Sequence, residues 1–95
     1  MNSILNFFIK ETSEQIFLEI NKKMINAGFN QILSGYQIHS FNVSNKFELS
    51  EKTKNLFLEI IQDVSNKFQT KIIIEKYSIS SGNNMAYPVI TGKIP

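Results

Sequence analysis

A single histidine, His39, a single aspartate, Asp63, and no cysteine bound the chemistry open to this chain of 95 residues. Without thiols there are no disulfides, no thiolate metal sites and no cysteine nucleophile. One histidine falls short of the three or four nitrogen and sulfur ligands that a zinc site usually takes. His39 is therefore expected to be a hydrogen-bonded residue on a strand surface. A Ser–His–Asp arrangement would have to draw on His39 and Asp63, but no Gly-x-Ser-x-Gly elbow presents a serine. Asp63 also falls on the exposed side of a helical stripe. The carboxylate pairs are ordinary: Glu48 and Glu51 straddle an expected helix start, and Glu59 and Asp63 are i, i+4 neighbours whose like charges oppose each other mildly. Gly82 stands alone in its loop with no lysine after it, so nothing there cradles a phosphate. The side chains that run acid–base, nucleophilic or metal chemistry are missing or isolated, and no catalysis, cofactor or metal is expected.

Charge narrows the partners. All ten basic residues are lysines, and the net charge is +2. A missing arginine removes the side chain best suited to bidentate phosphate and guanine contacts. Dedicated nucleic-acid binders are normally more basic and more clustered. Tyr77 and Tyr87 with Lys71 and Lys76 still offer a stacking surface for RNA or single-stranded DNA, which is the alternative expectation. The abundance of Ile, Asn, Lys and Phe is what AT-rich coding produces, as in an AT-rich bacterium, its phages and mobile elements, or an organelle. The opening residues lack the basic n-region and cleavage site of a signal peptide, and no run approaches the roughly 18 apolar residues of a membrane span. A cytoplasmic location without membrane contact is the expectation. The sequon Asn42-Val43-Ser44 is a chance match in a chain rich in Asn and Ser.

The elements that must carry any surface can be read in order. A helix is expected from about Thr12 to Ala27, capped by Thr12 or Ser13, with Glu14 in its first turn and Gly28 just past its end. Ile16, Ile20, Met24 and Ala27 form its apolar stripe. Residues 3–9 fit either a strand, with Leu5, Phe7 and Ile9 on one face, or a backward extension of the helix; the paired phenylalanines favour the strand. Residues 30–49 look extended. Ile32, Tyr36 and Ile38 share one parity and Phe41, Val43, Phe47 and Leu49 the other, which implies a bulge near His39-Ser40, or a hairpin turned at Ser34-Gly35. A second helix is expected to start at Ser50 and to show Phe57, Ile60, Ile61, Val64 and Phe68 on one face. An apolar strand from Lys71 to Ile79 follows, then a turn at residues 80–84. The return strand, Met85 to Thr91, should lie at an edge because Pro88 cannot donate to a ladder.

One domain spanning residues 1–95 is expected, of the α+β class. It is a two-layer sandwich with two amphipathic helices on one face of a mixed or antiparallel sheet, loosely ferredoxin-like. The likeness is loose because that fold places a β-hairpin between its helices. If the 80–84 loop closes with Ile79 opposite Met85, then Ile73, Tyr77, Ile79, Met85, Tyr87 and Val89 share the face away from the helices. Those six residues are the expected partner surface, for a protein or for a second copy in a homodimer. The functional expectation is a non-catalytic protein-binding module, of the kind of a small inhibitor, immunity or adaptor factor.

Overall fold

Ser13 starts the first helix. Its side chain accepts the Ile16 N–H at 3.2 Å, Glu14 lies in the first turn and Lys23 in the last, each at the end where the helix dipole favours its charge. A computed structural model of the chain describes residues 1–82 and 87–95. Within them the order is β1 (Asn2–Ile9), α1 (Glu14–Asn26), β2 (Asn30–Ile32), β3 (Gly35–His39), α2 (Lys46–Phe68), β4 (Ile74–Ser81) and β5 (Ile90–Ile94). The expected helix over 12–27 is α1, and residues 3–9 take the strand alternative.

The five strands form one antiparallel sheet in the order β2-β3-β1-β4-β5. Of the two readings of residues 30–49, the hairpin is correct, but its turn is Leu33-Ser34, one residue before the expected Ser34-Gly35, and Gly35, at φ +144°, opens β3. The hairpin lies between the two helices, so the element missing from the loosely ferredoxin-like expectation is present. The fifth strand, added outside β4, keeps the likeness loose. A Cβ on Gly35 would collide with the Leu5 carbonyl and the Asn6 side chain, so only glycine lets the hairpin lie this close to β1.

Three boundaries differ from expectation, one of them that of β4, which runs from Ile74 to Ser81 instead of from Lys71 to Ile79. The second helix begins at Lys46, because Asn45 accepts the Glu48 N–H at 2.8 Å and caps it, with Glu48 itself in the first turn. Phe47 and Leu49 are therefore helical, and the strand parity they seemed to share with Phe41 and Val43 does not exist. Ser50, the expected cap, lies inside the helix and is fully buried. The last strand begins at Ile90 instead of Met85; Met85 itself lies outside the described residues.

Both helices lie on the same face of the sheet. Phe57, Ile60, Ile61 and Val64 of α2 and Ile20 and Met24 of α1 are buried with Leu5, Tyr36, Ile72, Ile74, Tyr77 and Ile79 beneath them, while Ile16 and Phe68 pack at the margin. The two helical stripes are buried as expected, whereas Tyr77 and Ile79, expected on the face away from the helices, join them in the core. At the end of the sheet near Ser81 the contact between α2 and the sheet is polar. Ser50 donates to Ser81 at 2.8 Å, Ser81 donates to Ser3 at 2.9 Å, Ser3 and Thr53 lie 3.0 Å apart, and Thr53 donates to the Leu49 carbonyl at 2.8 Å. A hydroxyl has one proton, so Thr53, having given its own to Leu49, receives from Ser3. Four buried hydroxyls thus form a one-way chain from Ser50 to a helical carbonyl, and no buried side-chain polar atom among the described residues lacks a partner.

Candidate functional site

The ladder between β1 and β3 runs from Asn2↔His39 to Leu5↔Tyr36 and stops there, because the chain turns at Ser34 towards β2. The strand β1 continues for four residues beyond Leu5, paired only with β4. Where β3 would have continued, the sheet has a notch of about 620 Å³, lined by residues of β1, β4, α1 and the β2–β3 turn. That volume lies within the range of ordinary ligand and peptide sites.

Because a strand is missing there, the notch has walls from both faces of the sheet. Asn6, Phe8, Ile32, Lys76 and Ser78 belong to the face without helices, whereas Phe17 of α1, with Phe7 and Tyr36, belongs to the helical side. The inner wall is fixed by aromatic packing: Phe7 stacks on Tyr36 with ring centroids 5.8 Å apart and meets Phe57 at 4.9 Å. Tyr36 is held in turn by donating its hydroxyl to Asn21 of α1 at 2.7 Å, and burial raises its pKa above the ordinary phenol range. The outer walls are open. Phe8 is 64% exposed, Phe17 also stands in solvent, and Leu33 at the tip of the turn is 107% exposed. Lone surface apolar residues are common, but three large ones around one concavity are the usual mark of a contact surface. Lys76 is the one charged side chain lining the notch among the described residues.

The six residues expected to share a partner face do not share one. Tyr77 and Ile79 are buried in the core beneath the helices, Ile73 and Val89 are half-buried outside the strands, Tyr87 is 83% exposed ahead of β5, and Met85 lies outside the described residues. Two features overturn the face assignment. A bulge lets Ile74 pair with Ile9 and Lys76 with Phe8, so one extra residue is inserted in β4 and Ile74 and Tyr77 both point inward despite their opposite parity. The hairpin register is Ile79↔Ile90 and Tyr77↔Gly92, five residues away from the expected Ile79–Met85 pairing, and an odd shift exchanges the faces. Tyr77 lies directly over Gly92, where a Cβ would meet its ring at 2.6 Å. With Tyr77 buried, the expected stacking surface of Tyr77 and Tyr87 with Lys71 and Lys76 is not assembled either.

Sequence reasoning missed Phe8, Phe17 and Leu33. Leu33 was missed because the hairpin was expected to turn at Ser34-Gly35; with the turn one residue earlier, Leu33 stands at its tip and is exposed. His39 lies on an exposed strand position, as expected, with Nδ1 2.7 Å from the Asn2 side-chain oxygen and its ring edge-on to Phe41. No group of three or more His, Asp or Glu side chains that could hold a metal occurs among the described residues, and no described helix is long and apolar enough to cross a membrane. Comparison with protein-family models, with characterised proteins and with solved structures finds no match to this chain.

Proposed function

We propose that this protein is a non-catalytic protein-binding module that holds its partner at the notch between the β2–β3 turn and the free end of β1. The observation that carries the reading is the gathering of Phe8, Phe17 and Leu33, exposed and apolar, around one cavity with a rigid inner wall. A surface of that kind gains free energy when another molecule removes it from water, at roughly 25 cal/mol per Å² of apolar area. The wall needs no rearrangement to receive a partner, since Phe7 and Tyr36 are already locked by Phe57 and Asn21. Within this class a small inhibitor, immunity or adaptor factor working in the cytoplasm suits a chain of this size whose reactive side chains are isolated from one another.

The test compares three tagged proteins expressed in the native host: the parent, a Phe8→Ser, Leu33→Ser double variant, and a Phe41→Ser control. Phe41 is 90% exposed and stands beside His39, away from the notch lining. Each is checked for folding by circular dichroism, then crosslinked, captured and quantified by mass spectrometry. Sedimentation of the purified proteins reports self-association. The reading requires that the double variant, and not the control, lose the captured protein or the self-association. Equal capture and equal mass for all three would overturn it.

A further inference from the structure

We infer that the notch takes its partner as an added β-strand: an extended, acidic peptide segment whose main chain pairs with Phe7 and Ile9. This rests on the protein-binding reading of the same site and concerns the form in which the partner binds. The geometry follows from which way the main chain of β1 points. Met1 and Ser40 exchange main-chain bonds in both directions, at 3.0 and 2.9 Å, so residue 1 faces the β3 side. Asn2 accepts from Gly82 at 3.0 Å, and Lys10 donates to Ile73 at 3.0 Å, so the even residues face β4. Successive residues of a strand alternate. Phe7 and Ile9 therefore direct their N–H and C=O groups towards the β3 side, beyond the point where β3 ends. In the β1–β3 register the next hydrogen-bonded pair would be Phe7 with Ser34, but Ser34 is in the turn and no main-chain bond joins them.

The result is a short strand edge in the middle of a sheet, with two donors and two acceptors spaced for a strand and phenylalanines on either side. An extended peptide is the occupant that satisfies all four groups, and its alternate side chains fall on the two walls. Those on one side meet Phe17, and those on the other meet Phe8 and Ile32 beside Lys76. Lys76 is the lining's one charge among the described residues, so the complementary segment carries a carboxylate there. The protein's own edge strands do not meet this requirement. The strand β2 reads Asn-Gln-Ile, without charge, and β5 reads Ile-Thr-Gly-Lys-Ile, which would bring Lys93 against Lys76. Charge thus favours a segment of another protein over a second copy.

The probes are terminally blocked peptides titrated into the ¹⁵N-labelled protein: Val-Glu-Val-Glu-Val, its lysine counterpart Val-Lys-Val-Lys-Val, and the acidic peptide with its valine amides N-methylated. The acidic peptide is expected to shift the Phe7 and Ile9 amide resonances downfield and to slow their hydrogen exchange. N-methylation removes the main-chain donors and should weaken binding about tenfold or more, as the loss of one or two hydrogen bonds does. The lysine peptide should bind several-fold more weakly, and Lys76→Gln should narrow that gap. No change at Phe7 and Ile9 up to millimolar acidic peptide, or equal binding after N-methylation, overturns strand addition. Capture that depends on Phe8 and Leu33 while the peptides fail leaves the protein-binding reading standing and removes only this one. Indifference of capture and self-association to Phe8 and Leu33 removes the reading on which it rests.

Discussion

Replacing Ser3 by alanine tests whether the buried hydroxyls act as a directed chain. The order Ser50→Ser81→Ser3→Thr53→Leu49 carbonyl makes the members unequal. Ser50 stands at the head. Its removal loses one bond but strands no proton, because Ser81 still donates to Ser3; the expected cost is about 1 kcal/mol, the net value of a hydrogen bond. Ser3 stands in the middle. Its removal deletes the bond to Thr53 and leaves the Ser81 proton without an acceptor in a fully buried place. An orphaned buried donor costs about 1–3 kcal/mol in addition to the lost bond, so Ser3→Ala should cost about 2–4 kcal/mol. The small void left by a serine oxygen is common to both variants and cancels in the comparison. Urea unfolding at constant slope reads the difference, and in a domain of this size 1 kcal/mol corresponds to a shift of about 4–8 °C in Tm. Replacing Ser3, Ser50 and Ser81 together strands no proton, since Thr53 keeps Leu49. The triple variant should therefore cost less than the three single costs added, by at least about 1 kcal/mol. A Ser3→Ala cost no greater than that of Ser50→Ala, or strict additivity among the three, would refute the directed chain.

Three further outcomes are expected. Truncating Ile61 or Ile20 to alanine, one from each helix, should cost about 2–5 kcal/mol in urea unfolding, and a loss below about 1 kcal/mol at both would contradict the packing of both helices on the sheet. Native-state hydrogen exchange should find the Ser3 and Leu5 amides protected by the β1–β3 ladder and the Phe7 and Ile9 amides fast, although all four lie in one strand; equal protection would mean that the notch edge is paired. Burial raises the Tyr36 pKa, so the fold binds that proton more tightly than the unfolded chain does. Its contribution is fully present below the unfolded phenol value of about 10 and is lost as pH rises towards the folded value. Alkaline destabilisation should thus be shallower in Tyr36→Phe than in the parent, and superimposable pH profiles would show that Tyr36 does not contribute.

Local physics made much of the fold legible in the sequence. The apolar stripes of Ile16, Ile20 and Met24 and of Phe57, Ile60, Ile61 and Val64 repeat at helical spacing, and a helix placed on a sheet must bury such a stripe wherever the sheet's strands run. The caps were legible in principle as well. Asn45 with Glu48 is a start signal as clear as Ser50 with Glu51, and the earlier one governs because a helix, once nucleated, extends through residues of adequate propensity. The isolation of His39 and Asp63 from other reactive groups along the chain was likewise a matter of composition. The proposed partner surface was not legible, because it depends on register and register depends on contacts distant in sequence. One extra residue in β4 moves Tyr77 and Ile79 to the helical face, a hairpin displaced by five residues sets Ile90 instead of Met85 opposite Ile79, and neither leaves a periodic trace in the residues involved. The notch is a still more distant consequence: it exists because Gly35 lets β3 approach β1 and the turn at Leu33-Ser34 ends that pairing two residues before β1 has run past Phe7. Side-chain types fix which faces must be buried, but only the lengths of neighbouring strands, compared across the sheet, decide which backbone edge is left open.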